Sequence, residues 1–354
     1  MTAKFTKGEF IGFTLTAAFV AAAGIAHYAG IDEIAAFVFA AVALAGVAWL
    51  VSFGTEELAT RLAPGPTGLL QSTLGNLPEF FVVIFALKEG QVVVAETSIL
   101  GSIFANALLV LGLTIVIGAR RSGDKVMHFS KRLPKDTATL LLMTTFIIVL
   151  VGISLASDDK ASTHVQAISV IGAIVLLCVY AAWVIPFARQ AAPEGHGPAH
   201  NPRLSLALTL GVLAVAGVGA AFVSDWFIAA LQPAIDAMGV SQAFAGLVIV
   251  AIAGNASENF TAFVMARKGE SELAISVVKN SVAQIAAFLY PALILVSLLF
   301  ATHLTFAIEP VYIGALAFTA LAMWQITDDG EAAAFEGWAL TGLYVILAAL
   351  TLFE

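Results

Sequence analysis

Charge is scarce in this chain: only 11% of its 354 residues are Asp, Glu, Lys or Arg, against roughly 25% in a soluble domain. So few charges cannot coat a water-soluble fold of this size, which excludes that class. Cysteine is nearly absent. The single Cys178 can close no internal disulfide and supply no thiolate metal cluster, and inside its apolar run it reads as a small filler. There is no His-Glu-x-x-His, so a metalloprotease motif is missing too. The net charge of −8 argues against nucleic acid as a partner.

What the chain has instead is apolar length. Hydrophobic residues make up 60% and the mean hydropathy is +0.97. Several stretches reach the roughly 20 residues that a hydrocarbon core of about 30 Å requires. Lys4 and Lys7 precede an apolar run that imitates a secretory signal, but the run is too long for one and reads as a first spanning helix. Apolar runs and their breakers predict eleven spans, near 10–29, 34–60, 67–87, 92–118, 136–156, 164–187, 204–232, 242–267, 273–299, 310–326 and 336–353. With the N-terminus inside, the inner segments hold thirteen basic residues and the outer ones only Lys88 and Lys160, which predicts a cytoplasmic N-terminus.

Gly75-Asn76-Leu77-Pro78-Glu79-Phe80 returns as Gly254-Asn255-Ala256-Ser257-Glu258-Asn259 at an offset of 179 residues. The same offset carries Ser102 onto Ser281 and Glu57 onto Asp236, and it sets Ser102 and Asn106 beside Ser281 and Gln284. Five spans separate the copies, an odd number, so the repeats are expected to be inverted, with a binding site near the midplane where they meet. At about 1.5 Å per residue, Glu79 lies roughly 18 Å and Glu258 roughly 14 Å from the cytoplasmic helix ends. A carboxylate at that depth costs at least about 2.5 kcal/mol on insertion scales, which marks it as functional.

Asn76 and Glu79 share a helix face, as do Asn255 and Glu258. Ser102 with Asn106, and Ser281 with Gln284, add hydroxyl and amide oxygens. Hard cations take such all-oxygen shells, and the lack of His or Cys beside these acids argues against zinc or copper. Pro78 is expected to kink its helix and free the Leu74 carbonyl. Two carboxylates are neutralised by one divalent cation or by two protons, and this favours exchange over conduction. Glu57 and Asp236, near opposite mouths, are candidates for gathering cations or relaying protons. Asp158-Asp159 and Asp328-Asp329, which an intramembrane enzyme could use, fall in loops on opposite sides and read as solvated. Lys279 should point about 160° away from Ser281 and lies roughly 9 Å from the cytoplasmic end, within snorkelling range.

These residues resemble the Ca²⁺/H⁺ exchanger family of the calcium/cation antiporter superfamily. The likeness rests on Thr55-Glu56-Glu57-Leu58-Ala59, both Gly-Asn-x-x-Glu motifs, Ile99-Leu100-Gly101-Ser102 leading to Asn106, Leu109-Val110-Leu111-Gly112, and Ser281, Gln284 and Pro291. It implies an all-α membrane protein: an N-terminal transmembrane helix (1–32), a first five-helix repeat (33–188), a cytoplasmic linker (189–203) and a second, inverted repeat (204–354). It further implies alternating access, in which Glu79 and Glu258 bind the cation and accept protons. Asn76, Asn255, Ser102, Ser281, Asn106 and Gln284 support them.

The chain departs from the family at Pro78, at Lys279-Asn280 and in Gln190 to Pro202, which lacks the acidic run tied to Ca²⁺ sensing. The expected partners are the bilayer, Ca²⁺ as transported substrate and H⁺, with no cofactor and no enzymatic activity. Na⁺ exchange against H⁺ or Ca²⁺ is the alternative, ahead of a cation channel; a homo-oligomer is left open. The expected location is a prokaryotic inner membrane.

Overall fold

The computed structural model describes residues 5–61, 74–189 and 203–354. The start of the predicted span 67–87 and most of the 189–203 linker lie outside the described residues. Long apolar runs form the helices, two of them continuing through Pro186 and Pro233. In chain order these are α1 (Lys7–Ala29), α2 (Glu33–Ala59), α3 (Leu77–Lys88), α4 (Val92–Arg121), α5 (Arg132–Ala156), α6 (Val165–Arg189) and α7 (Leu206–Met238). Then follow α8 (Gln242–Gly254), α9 (Ala256–Lys268), α10 (Ser271–Ser297), α11 (Pro310–Thr327) and α12 (Ala334–Leu352).

Local chemistry sets several ends. Thr6 and Glu9 form a reciprocal capping box on α1, and Ser205 caps α7 at 3.2 Å. Gly239 ends α7 at φ 66°, a backbone setting that side chains resist.

Among the described residues nine helices are long and apolar enough to span a bilayer, and α8 with α9 makes a tenth span bent by 61°. The protein is thus a multi-pass membrane protein. The described part of the expected span 67–87 begins at Leu74 and includes α3. One feature goes beyond the all-helical expectation: β1 (Val126–His128) pairs antiparallel with β2 (Glu331–Ala333), Met127 opposite Ala332. Three-residue strands inside connecting loops leave no period to read. Cys178 is exposed on α6 rather than filling a core.

The chain packs as two compact units that interleave along the sequence. The first comprises Met1–Phe85, Ala181–Val240 and Ala253–Ser257. In it α1, α2 and α7 pack through small residues, with Ala43, Ala216 and Ala220 fully buried, as expected where lipid tails supply no hydrophobic drive between helices. The second comprises Ala86–Tyr180, Ser241–Ile252 and Glu258–Glu354. Its centre is α4 and α10: 89% and 72% of their most apolar windows are buried, against 22–39% for the other long helices. Here α4 crosses α8 at backbone contact. A Cβ on Gly101 would fall 2.3 Å from the Leu247 carbonyl oxygen.

Candidate cation site

Both Gly-Asn-x-x-Glu motifs interrupt a helix, and at the same residue. Leu74 and Gly75 are helical, Asn76 is a turn, and α3 starts at Leu77. Likewise α8 ends at Gly254, Asn255 is a turn, and α9 starts at Ala256. Each Asn therefore occupies the N-cap and each Glu the third helical position, the spacing of a capping box. The Asn76 carbonyl accepts the first bond of α3 from Phe80 at 2.9 Å.

The kink expected from Pro78 is corrected by this arrangement. Pro78 is the second residue of a new helix, where an amide hydrogen has no helical partner to lose. Ser257 holds the matching place in the other motif, and that helix breaks all the same. The break belongs to Gly-Asn. A glutamate in a first turn meets orphaned N–H groups and the positive end of the helix dipole, which favour a carboxylate at depth.

In the first unit Glu79, Asn76 and Asn255 are each 3% exposed. A Cβ on Gly254 would lie 4.0 Å from the Glu79 Cβ, so the backbone of the second motif runs directly past the first glutamate. Ser52 and Ser257 hydroxyls bond at 2.9 Å, and Ser224 donates to the Pro78 carbonyl at 3.4 Å. Polar side chains thus line the segment where the ladder is broken.

In the second unit Glu258 is half-buried and faces the Ser281 hydroxyl of α10. Glu258 Oε2 and Ser281 Oγ are both buried, and neither makes a hydrogen bond of good geometry among the described residues. A buried carboxylate held by no more than one weak hydroxyl contact costs free energy unless a ligand satisfies it. Ser102 and Asn106 of α4 and Gln284 of α10 are buried as well. Asn106 donates its amide to the Ser102 carbonyl at 3.0 Å, which turns the nitrogen to the backbone and leaves Oδ1 as the acceptor end of the side chain.

Each of these central helices passes into a π-helical turn at its polar pair: Ala105–Val110 in α4, which contains Asn106, and Ile285–Leu289 in α10, just past Gln284. Such turns are frequent at functional sites. Among the described residues no three His, Cys, Asp or Glu side chains cluster as a metal site. The available ligands are oxygens of carboxylates, hydroxyls and amides, a set that suits a hard cation.

The mouth acids differ from one another. Asp236 is exposed on the last turn of α7, accepting from Gln232 at 2.9 Å. Glu57 is 3% exposed and ion-paired: Arg203 Nε donates to its Oε1 at 2.8 Å. Lys279 points away from Ser281 as expected but does not snorkel. It is 0% exposed, and its Nζ donates to Thr327 Oγ1 at 2.9 Å. The loop acids shape turns, Asp159 accepting from Ala161 and Asp329 from Glu331, each at 3.2 Å.

Three polar residues carry no strong sequence signal. Arg203 and Thr327 act over long separations. Asn259 stands opposite Phe80 in the repeat, an asymmetry that marks it, and its Oδ1 is buried without a partner among the described residues.

The family described as sodium/calcium exchanger protein matches residues 33–188 and 208–353. This chain belongs to that family. It is 29% identical over 344 residues to a Ca²⁺/H⁺ antiporter of Synechocystis sp., covering 91% of this chain and 92% of the relative. It is 28% identical to a Ca²⁺/H⁺ antiporter of Aphanothece halophytica, covering 96% and 94%. The solved structure of native YfkE is similar at a TM-score of 0.81 and 26% identity, over 97% of this exchanger-family chain and 100% of that one.

Proposed function

We propose that this protein is a secondary active antiporter that exchanges Ca²⁺ for H⁺ by alternating access. The observation that carries the reading is Glu258: a carboxylate in the first turn of a half-helix, its Oε2 buried with no more than a weak contact to the Ser281 hydroxyl. The Synechocystis and Aphanothece relatives, both named Ca²⁺/H⁺ antiporters, support the choice of ions.

Glu79 and Glu258 are the cation ligands and proton acceptors, with Asn76, Asn255, Ser102, Ser281, Asn106 and Gln284 as supporting oxygens. The two glutamates carry two negative charges, which one Ca²⁺ or two protons neutralise. A neutral site can pass between its two openings through the low-dielectric interior, and an empty, doubly charged one is held back. The positive helix ends at Asn76 and Asn255 offset part of the cost of a negative charge at that depth. Glu57 and Asp236 remain candidates for the mouths. The skew of Lys and Arg supports a cytoplasmic N-terminus, and a prokaryotic inner membrane is the proposed location.

In everted vesicles holding an imposed proton gradient, Ca²⁺ should collapse the gradient, and Glu79→Gln and Glu258→Gln should each abolish the response. Collapse by Na⁺ without Ca²⁺ overturns the ion assignment. Unimpaired exchange in both variants overturns the site.

A further inference from the structure

One face of α10 is fastened to its surroundings by polar contacts spaced seven residues apart. At the start of the helix Glu272 Oε2 accepts from the Ser130 backbone N–H at 2.6 Å. Two turns on, Lys279 Nζ donates to Thr327 Oγ1 at 2.9 Å, and the Lys279 carbonyl accepts from Thr137 of α5 at 3.3 Å. Another seven residues on, inside the π-turn, the Ala286 carbonyl accepts from Thr144 of α5 at 3.0 Å. Residues seven apart drift only about 20° around a helix, so Glu272 and Lys279 lie on one stripe. Ser281 and Gln284 sit about 140–160° away, on the opposite face.

The middle rung is the unusual one. A lysine is almost never fully buried unless paired, yet Lys279 is 0% exposed and its partner is a hydroxyl. Thr327 is the last residue of α11, so the amine docks at the end of a helix where free carbonyls gather negative potential. Thr327 in turn donates to the Met323 carbonyl at 2.6 Å, which orients its oxygen toward the amine. The contact joins α10 to α11 deep inside the unit, where no water competes and van der Waals packing alone sets helix rotation weakly.

We propose that Lys279 is a positioning residue for cation binding. Tied to Thr327, it fixes the rotation and depth of α10, and so the aim of Ser281 and Gln284. Lys279 itself touches no substrate. This inference rests on the exchange reading above.

Thr327→Val is nearly isosteric and removes the hydroxyl that accepts from Lys279 and donates to Met323, whereas Thr327→Ser keeps both bonds. Calcium affinity is read twice, as equilibrium ⁴⁵Ca²⁺ binding to purified protein and as the KM of Ca²⁺-driven proton release. Loss of one interhelical hydrogen bond should weaken both by about three- to tenfold in Thr327→Val. Thr327→Ser should match wild type. Lys279→Met should resemble Thr327→Val, and the double variant should be no worse than either, because no buried amine or hydroxyl is then left unpaired.

A purely structural role predicts less folded protein with unchanged affinity in what survives, and that result overturns the proposal. So do losses that multiply in the double variant. If the wild-type protein neither binds Ca²⁺ nor exchanges it, the function reading fails and takes this inference with it. If the wild type exchanges and Thr327→Val binds Ca²⁺ as tightly, only the positioning role is lost.

Discussion

Arg203 holds Glu57 through a single carboxylate oxygen: its Nε lies 2.8 Å from Glu57 Oε1, and a second guanidinium N–H reaches the same atom. Its Nη1 takes Glu9 Oε1, also at 2.8 Å. The Glu57 side chain is 4% exposed and that of Arg203 46%, so the acid is dry while its partner is half in water. For Glu57 to relay protons at a mouth, this pair has to open. Removing the partner of a fully buried charge costs about 3–5 kcal/mol; with Arg203 half-exposed, Arg203→Ala should cost about 1–2 kcal/mol. Adding Glu57→Gln should recover most of that loss, because no buried charge is then stranded. Thermal unfolding of detergent-solubilised protein checks both, and a double variant less stable than Arg203→Ala contradicts the argument.

A second ionic contact lies outside the spans and titrates. His128 Nε2 is 2.8 Å from Asp124 Oδ2, and its Nδ1 is 3.5 Å from Glu331 Oε2 across the strand pair. The hydrogen bond to Asp124 raises the His128 pKa above its ordinary 6.5, and the same bond lowers Asp124 below 3.8. A raised imidazole contributes fully below its unfolded value and stops contributing as pH climbs through its folded one. A lowered carboxylate contributes fully above its unfolded value and stops as pH falls through its folded one. The contact is therefore at full strength between pH 3.8 and 6.5 and weakens on the alkaline side first. Amide hydrogen exchange of 126–128, corrected for intrinsic rates, should show more protection at mildly acidic than at alkaline pH. His128→Gln should abolish the difference.

Which features were legible in the sequence follows from the range of the interaction behind them. Glu79 and Glu258 stand out because a carboxylate at depth is costly and the motif is repeated. The rotation of Lys279 away from Ser281 follows from helix geometry alone. Its burial does not, because Thr327 lies 48 residues further along. Arg203 and Glu57 are separated by 146 residues, and no periodicity links them. Pro78 misleads for a different reason: proline breaks a helix interior but is welcome in a first turn, and only comparison with Ser257 separates the two cases. The Asn-x-x-Glu spacing already carries that distinction.

Gly101 tests the packing of the central helix. A Cβ there would lie 2.3 Å from the Leu247 carbonyl oxygen and 2.5 Å from the Leu247 Cα, both of them backbone. Neither atom can swing aside, so α4 and α8 must separate for even one methyl group. Gly101→Ala should cost at least about 2–3 kcal/mol, within the range for overpacking, and should lower the yield of monodisperse protein on size exclusion. Gly314→Ala, where an added Cβ meets no atom within 4 Å, is the control and should behave as wild type.

The breaks at Asn76 and Asn255 can be separated from Pro78 by substitution. If proline made the break, Pro78→Ala would let α3 join the helical turn before it, and exchange would fail with it. If Asn makes it, Pro78→Ala exchanges one residue acceptable in a first turn for another, and stability should stay within about 0.5 kcal/mol of wild type. Asn76→Ala and Asn255→Ala place a poor N-cap residue at each break and should each be destabilising, by up to about 1 kcal/mol. Their effects should be similar, since both half-helices begin in the same way. Thermal unfolding ranks the three variants, and vesicle exchange should persist in Pro78→Ala. A Pro78→Ala protein that is the least stable of the three, or inactive while folded, would return the break to proline.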